Sequence, residues 1–350
     1  MGKDKITKYN LMFVGQSKID ARFIYNFYKY TKNTYTKNYH CFYERLNSFF
    51  TFESLFAFTV RLPKEVIAEI CEYNYKLYIK KNKNYFFINF FFNWLAKVYF
   101  VKYYGKIRNK NISYLFIYDD NTIQKKACIV AARALKINYT IIVDGYKSNT
   151  LCLESFGTRW CAAVPHNAQF YLELNSERQT KRSTMENNVV VILQNDASVD
   201  AVLYAPLIST QKELMQLVAG VANILQQTNF IIINYAKNWG DYENIQYSQN
   251  NIEALLSSAK CVITINAPEA IAALDYEVPI IAFGDAIYNI QGIAVVPRTQ
   301  SEIIEIINKP SLYYNKKIAS GFLDYIDAKS VMYYENDIQG VTTFESILRL

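Results

Sequence analysis

The stretch from Lys260 to Gly292, KCVITINAPEAIAALDYEVPIIAFGDAIYNIQG, constrains the fold more than any other part of this chain. It predicts a buried strand from Cys261 to Ile265, an abrupt turn, a short helix from Pro268 to Leu274, a second strand from Pro279 to Phe283 and a Gly-Asp loop. Asn266 is a favoured cap residue and Pro268 suits the first helical position, so the N–H groups of the helix start are expected to point beyond the strand's carboxyl end. In an open α/β sheet an anionic ligand sits there, held by backbone donors and the positive end of the helix dipole. The segment has no glycine fingerprint, so a strand-turn-helix with no ligand fits the local pattern equally well.

The rest of the chain repeats the alternation. A strand from Leu11 to Val14 precedes a helix from Lys18 to Tyr30, and a strand-like run from Leu55 to Val60 precedes a helix from Lys64 to Tyr78 opened by Pro63. Strand 113–118, helix 122–135 and strand 139–143 form another β-α-β unit. After the polar stretch NSERQTKRSTMENN (175–188), strand 189–193, helix 210–226, strand 230–233 and helix 252–258 lead into the opening segment. The fold class expected is therefore α/β, with two Rossmann-like domains and a cleft between them. Residues 1–180 form the first domain, 188–305 the second, and 306–350 a helical segment that packs back on the first. At 350 residues, 51% of them hydrophobic and 20% charged, the chain is long enough for two such cores.

Composition excludes some functions. Six cysteines show no CxxC pair and there are two histidines, His40 and His166, so no zinc spacing is present and no metal is expected. The cysteines are read as buried thiols of a reducing compartment. The polar, basic start carries no apolar core of a signal peptide, and Ile6-Thr7 breaks a myristoylation pattern. Thirty Tyr and 22 Phe, beside abundant Asn, Lys and Ile, match an AT-rich genome and are not taken as a functional sign.

From Lys76 to Lys110 nine Lys and Arg occur without an acid, more than the net charge of +7. Within this window YFFINFFFNWLAKVYFVKYY (85–104) has a longest uncharged run of 12 residues, Tyr85 to Ala96, against the ~20 of a membrane span. As a helix it places Asn89, Asn93 and Lys97 in one polar stripe on an aromatic cylinder. Two readings are open: a core helix with one wet edge, or a helix on a membrane surface with lysines on anionic headgroups. No nucleic-acid motif accompanies the charge, and no nucleic-acid partner is expected.

The strand ending at Val143 delivers Asp144-Gly145-Tyr146 to a sheet's carboxyl end. A carboxylate followed by a glycine that permits a sharp turn suits work in a cleft, and it equally suits a plain Asp-Gly turn.

Three ordered stretches resemble one family. "TIN" (264–266) followed by a small-residue helix ending in "AAL" and then VPIIAFGDAIYNIQG, the run VDGYKSNTLCLESFGTRWCAAVPHNAQFY (143–171), and VVVILQNDASVD (189–200) are similar to segments of the bacterial capsule polysaccharide biosynthesis family. That family includes transferases that move the eight-carbon acid sugar Kdo from CMP-Kdo. The resemblance covers residues 112 to 300 and implies the two-domain GT-B architecture, with the nucleotide-sugar donor on the second domain. It implies that Asp144, beside Gly145, is the carboxylate that attacks the anomeric carbon or deprotonates the group that does. Lys147 and Arg159 are placed to contact an anionic sugar or phosphate. Gln194, Ser198 and Tyr288, with the N–H groups of the segment 267–269 (Ala267-Pro268-Glu269), would hold the nucleotide.

The chain also departs from the family. Val143 stands where a second acid is usual, and the "G-V-N" becomes Gly157-Thr158-Arg159. Asn234-Tyr235 replaces a His-Pro pair that meets the CMP phosphate. In the segment after Asn266 the serine and the ribose-facing glutamate become Ala267 and Ala272, with Glu269 one helical turn before the latter. Asn234 can donate a hydrogen bond but cannot become a cation.

The resemblance implies a glycosyltransferase of capsule or surface polysaccharide synthesis, moving a Kdo-like sugar from a CMP-activated donor to a lipid or glycan acceptor without a further cofactor. Its place would be the cytoplasm, with the basic window against the inner face of the membrane. The alternative is a non-catalytic family member that binds glycan or serves as a structural part of the capsule machinery, which the departures favour. An epimerase-like enzyme needs acid and base on both sugar faces, and candidates are few.

Overall fold

The structure is a computed structural model that describes residues 9–15, 36–43, 57–80, 85–144, 150–154, 164–181, 183–234 and 243–332. The chain divides into two compact units, one of residues 1–158 with 330–350 and one of residues 159–329.

In the first unit, strands β1 (Tyr9–Gly15) and β2 (Thr36–Tyr43), helices α1 (Lys64–Lys80) and α2 (Tyr85–Asn109), strand β3 (Tyr114–Tyr118), helix α3 (Ile123–Ala134) and strands β4 (Asn138–Asp144) and β5 (Thr150–Glu154) are joined by a late strand, β12 (Ser330–Met332). The sheet order is β12-β5-β4-β3-β1-β2. The four strands β2, β1, β3 and β4 are parallel. Leu11 to Val14 and Leu115 to Ile117 are all buried, as expected of parallel strands covered on both faces. Phe13 stacks on its register partner Phe116 with ring centroids 4.9 Å apart. The last two strands depart from the parallel expectation, β5 running antiparallel to β4 and β12 antiparallel to β5.

One expectation for this unit needs correction. The run Leu55 to Val60 is not a strand within its described part: 57–59 is a turn, with Phe58 and Thr59 exposed. An apolar run without a buried face has nothing to pair for. The second strand is β2, whose mixed TKNYHCFY gave no apolar alternation. The expected helix 18–30 lies outside the described residues.

Helix α2 buries most of its length, as the core-helix reading expects. Phe92, Leu95, Ala96, Val98, Tyr99, Tyr103 and Ile107 are buried, and Phe92 makes edge contacts with Tyr75 and Tyr78 of α1 at 5.9 and 5.2 Å. Its polar stripe is used inside: Asn93 Oδ1 accepts from the Tyr75 hydroxyl at 2.6 Å. Phe90, Phe91 and the nearby Phe58 stay exposed. No described helix is long and apolar enough to cross a membrane.

The second unit contains α4 (Ala168–Glu173), β6 (Asn188–Ile192), α5 (Val199–Leu203), α6 (Gln211–Ile224), β7 (Asn229–Ile233), β8 (Ile245–Tyr247), α7 (Ile252–Leu256), β9 (Ala259–Thr264), a 3₁₀ helix (Pro268–Tyr276), β10 (Ile280–Ala282), β11 (Ala294–Val295), α8 (Gln300–Asn308), a 3₁₀ turn (Pro310–Tyr313) and α9 (Lys316–Lys329). All six strands are parallel in the order β11-β10-β9-β6-β7-β8. The chain starts in the middle at β6, winds out to β8, returns to β9 and winds out the other way. This is the doubly wound order, with its switch point between β6 and β9. Thr210 and Glu213 close a capping box at the start of α6.

The polar stretch 175–188 is laid along this unit by hydrogen bonds from Lys181 N–H to Asp275 and from Ser183 N–H to Tyr276. Helix α9 packs on α4, where Tyr171 sits edge-on to Phe322 at 5.6 Å. The expected helical segment from Ser301 is broken at Pro310 and gives way to β12 at Ser330.

Candidate functional site

The carboxyl edge of the second sheet collects the polar residues expected of a donor site. Gln194 follows β6 and Asn266 follows β9, so the two flank the switch point. They bond reciprocally across it: Gln194 Nε2 donates to Asn266 Oδ1 at 2.6 Å, and Asn266 N–H donates to Gln194 Oε1 at 3.2 Å. Ser198 joins at 3.4 Å from Gln194 Nε2, and its hydroxyl also accepts from Ala201 N–H, starting α5. Gln211 Nε2 holds the Gln194 carbonyl at 2.9 Å.

Asn266 was expected as a helix cap, and the structure gives it another task. Its buried amide donates to the carbonyls of Tyr204 at 3.1 Å and Asp285 at 3.3 Å, joining the loops after α5, β9 and β10. Ala267 becomes the cap without a side-chain bond, and the helix is 3₁₀ in form, with Pro268 at its first position. A Cβ on Gly284 would lie 2.7 Å from the Tyr204 carbonyl oxygen and 2.8 Å from Asn266 Nδ2, so only glycine lets the β10 loop close on this junction. Asn266→Ala removes three side-chain bonds and is expected to cost about 2 kcal/mol, measured as a lower urea midpoint with unchanged slope. An unchanged midpoint would show that the junction carries no stability.

The anion cradle expected at 267–269 is smaller than the sequence suggested. Pro268 has no N–H, and that of Ala267 already donates to Thr264 Oγ1 at 3.2 Å, which leaves Glu269's alone of the three. Pro268 and Glu269 are exposed. Tyr288 is buried, its hydroxyl donating to the Ala267 carbonyl at 2.9 Å, so it braces the turn from inside. Asn234 follows β7, exposed and left-handed at φ 58°, a conformation asparagine tolerates well.

Two residues at this edge were not singled out from the sequence. Asp285 follows Gly284 and places its backbone between Tyr204 and Asn266. His166 hydrogen-bonds the Asn289 backbone near the Asp285 carboxylate; burial of its inner side lowers its pKa, while Asn289 and Asp285 oppose that shift. The signal was present in VPHNAQFY: a Pro-His-Asn turn capped onto a short aromatic helix.

In the first unit, Asp144 is the last residue of β4 and pairs with Leu151 of β5, at the sheet's carboxyl end as expected. Gly145, Lys147 and Arg159 lie outside the described residues, as does the Asp144 side chain. Two further carboxylates follow β3 in a YDDN run whose role was not read. Asp120 is buried against Lys126 at 2.8 Å. Asp119, left-handed at φ 62°, donates its N–H to Ile142 of β4 at 2.7 Å and lies 3.9 Å from the buried Lys125. Burial raises the pKa of Asp119 above the ordinary carboxylate value, with Lys125 opposing.

Six parallel strands wound both ways from a central first strand, with polar side chains at the switch point, define an α/β unit of the class that meets its ligands at the sheet's carboxyl edge. Residues 221–310 match the family model described as "Capsule polysaccharide biosynthesis protein". The match falls within the second unit, where the chain is similar to the family whose resemblance was read from the sequence. No curated protein matches the chain by sequence. Among solved structures it is similar to the beta Kdo 2,7 transferase of Thermosulfurimonas dismutans KpsC, at 11% identity and a TM-score of 0.45 over 97% of this chain and 99% of that one. It is also similar to the UDP-GlcNAc 2-epimerase of Neisseria meningitidis bound to UDP-GlcNAc, at 12% identity and a TM-score of 0.42 over 98% and 100% of the two chains.

Proposed function

We propose that the protein is a glycosyltransferase of capsule or surface polysaccharide synthesis, moving a Kdo-like acidic sugar from a CMP-activated donor to a lipid or glycan acceptor. The observation that carries this reading is the Gln194–Asn266 junction at the switch point, Asn266 lying inside the segment that matches the family. The donor sits at this edge, against Gln194, Ser198 and the Glu269 N–H. Asp144 attacks the anomeric carbon, or takes the proton of the acceptor hydroxyl that does, as CMP departs with the bonding electrons. Exposed Phe58, Phe90 and Phe91 beside the basic window 76–110 support an acceptor at the cytoplasmic membrane face.

Calorimetry with CMP and CMP-Kdo, on wild type and on Asp144→Ala, tests this. Micromolar binding by both proteins is expected, with turnover in the variant lower by ~10²–10⁴-fold. Absence of binding by the wild type would remove the CMP-sugar reading and leave the non-catalytic one.

A further inference from the structure

A phosphate-bearing donor at the second unit's carboxyl edge meets an unusual balance of charge. Of the described residues nearest the switch point, Gln194, Ser198, Asn234 and Asn266 are neutral and Glu269 and Asp285 are acidic, while the exposed Arg298 follows the outer strand β11. A phosphate beside two carboxylates needs a cation, and the position where the family supplies a histidine holds Asn234.

His166 is built into this edge from outside the strand loops. The buried Tyr171 donates its hydroxyl to the Pro165 carbonyl at 2.6 Å, fixing the residue before His166. The side chain of Asn167, the residue after it, accepts from Gln169 N–H at 2.9 Å and caps α4. An exposed imidazole is thereby held against the loop 284–290, bonded to the backbone of Asn289. Asn289 Nδ2 in turn donates to the Gly284 carbonyl at 2.9 Å, and its buried Oδ1 has no hydrogen-bond partner. The open Asn289 oxygen is an acceptor and calls for a donor, such as a hydroxyl or amino group of a nucleotide, while the imidazole is the group able to meet a phosphate.

We infer that His166 is the residue that meets the donor phosphate at this edge. The inference rests on the reading of the edge as a nucleotide-sugar site, and it supplies that site with a cation beside the loop 284–290. In the empty protein the imidazole is mostly neutral at pH 7, because burial lowers its pKa and Asp285, the charged group acting on it, only partly offsets this. Arrival of a phosphate favours the imidazolium, so the nucleotide binds together with a proton, and binding tightens as pH falls from 8 toward 6.

The chain has two histidines, so its imidazole NMR spectrum reads the idea directly. Titration with CMP should move the His166 resonance and raise its midpoint, leaving His40 of β2 in place, with His166→Gln supplying the assignment. His166→Gln should bind CMP about tenfold more weakly or worse and lose the pH dependence. Its thermal midpoint should match wild type, because the side chain is exposed. Inorganic phosphate should move the same resonance at higher concentration. If CMP binds by calorimetry while the His166 resonance and its midpoint stay still, the inference fails and the nucleotide site stands. If CMP does not bind at all, the nucleotide reading fails and takes His166's role with it.

Discussion

Gly321→Ala is expected to lower the unfolding midpoint by roughly 6–12 °C, about 3 kcal/mol, although alanine is the better helix former. Gly321 lies inside α9 where that helix crosses α4. A Cβ there would fall on the carbonyl oxygen of Tyr171, well within contact distance, and 3.1 Å from the carbonyl carbon. The obstacle is backbone, so no rotamer change relieves it and the two helices must separate. The ~1 kcal/mol of helix propensity gained is outweighed by the strain and by loosened packing of Tyr171 on Phe322 and Tyr325. Circular dichroism melts of the two proteins decide the matter, and a higher midpoint in the variant would mean that α9 and α4 are not in contact. Because Tyr171 also fixes Pro165, the variant should weaken nucleotide binding as well.

Arg178→Met is expected to cost about 3 kcal/mol, by leaving three carboxylates without their shared cation. Nη1 of Arg178 reaches Asp327 at 2.6 Å and Asp324 at 3.2 Å, and Nη2 reaches Asp275 at 3.0 Å. The guanidinium is 20% exposed and the acids between 31% and 46%, so solvent screening keeps the loss below that of a fully buried cluster. Arg178→Lys should recover little, since one ammonium cannot present two forks to three acids. Molar salt should shrink the Met variant's deficit by screening the repulsion. A deficit that urea titration finds independent of salt would point to lost packing of the arginine stem instead.

The fold and the candidate site differ in how much of them the residues announced. Strands such as Val189–Leu193 and Cys261–Ile265 are apolar runs of the right length bounded by turn residues, and they lie within a residue or two of their expected places. β2, β5, β8 and β12 are short or mixed in polarity, and burial by neighbours distant in sequence makes them strands. Gln194 and Asn266 were legible singly, as polar residues at strand ends. Their bond to each other was not, because it depends on two strands 72 positions apart becoming neighbours. Asn266 read as a cap because asparagine is a favoured cap residue and Pro268 stands two positions on, while its three-loop junction depends on how closely Gly284 approaches. His166 was passed over because a single histidine in a loop says nothing until the loop is seen to end against Asn289.

Strand β12 gives the order in which the protein can be assembled. It completes the edge of the first sheet beside β5, yet all of the second unit is translated between the two strands. At ribosomal speeds of 5–20 residues per second, β5 waits about 10 to 35 s with one backbone edge unpaired. The second unit has its whole sheet before β12 emerges, so it can fold first although it comes later in the chain. During that interval the nascent protein carries an open strand edge that another chain could join, and this is the stage at which it most needs a chaperone.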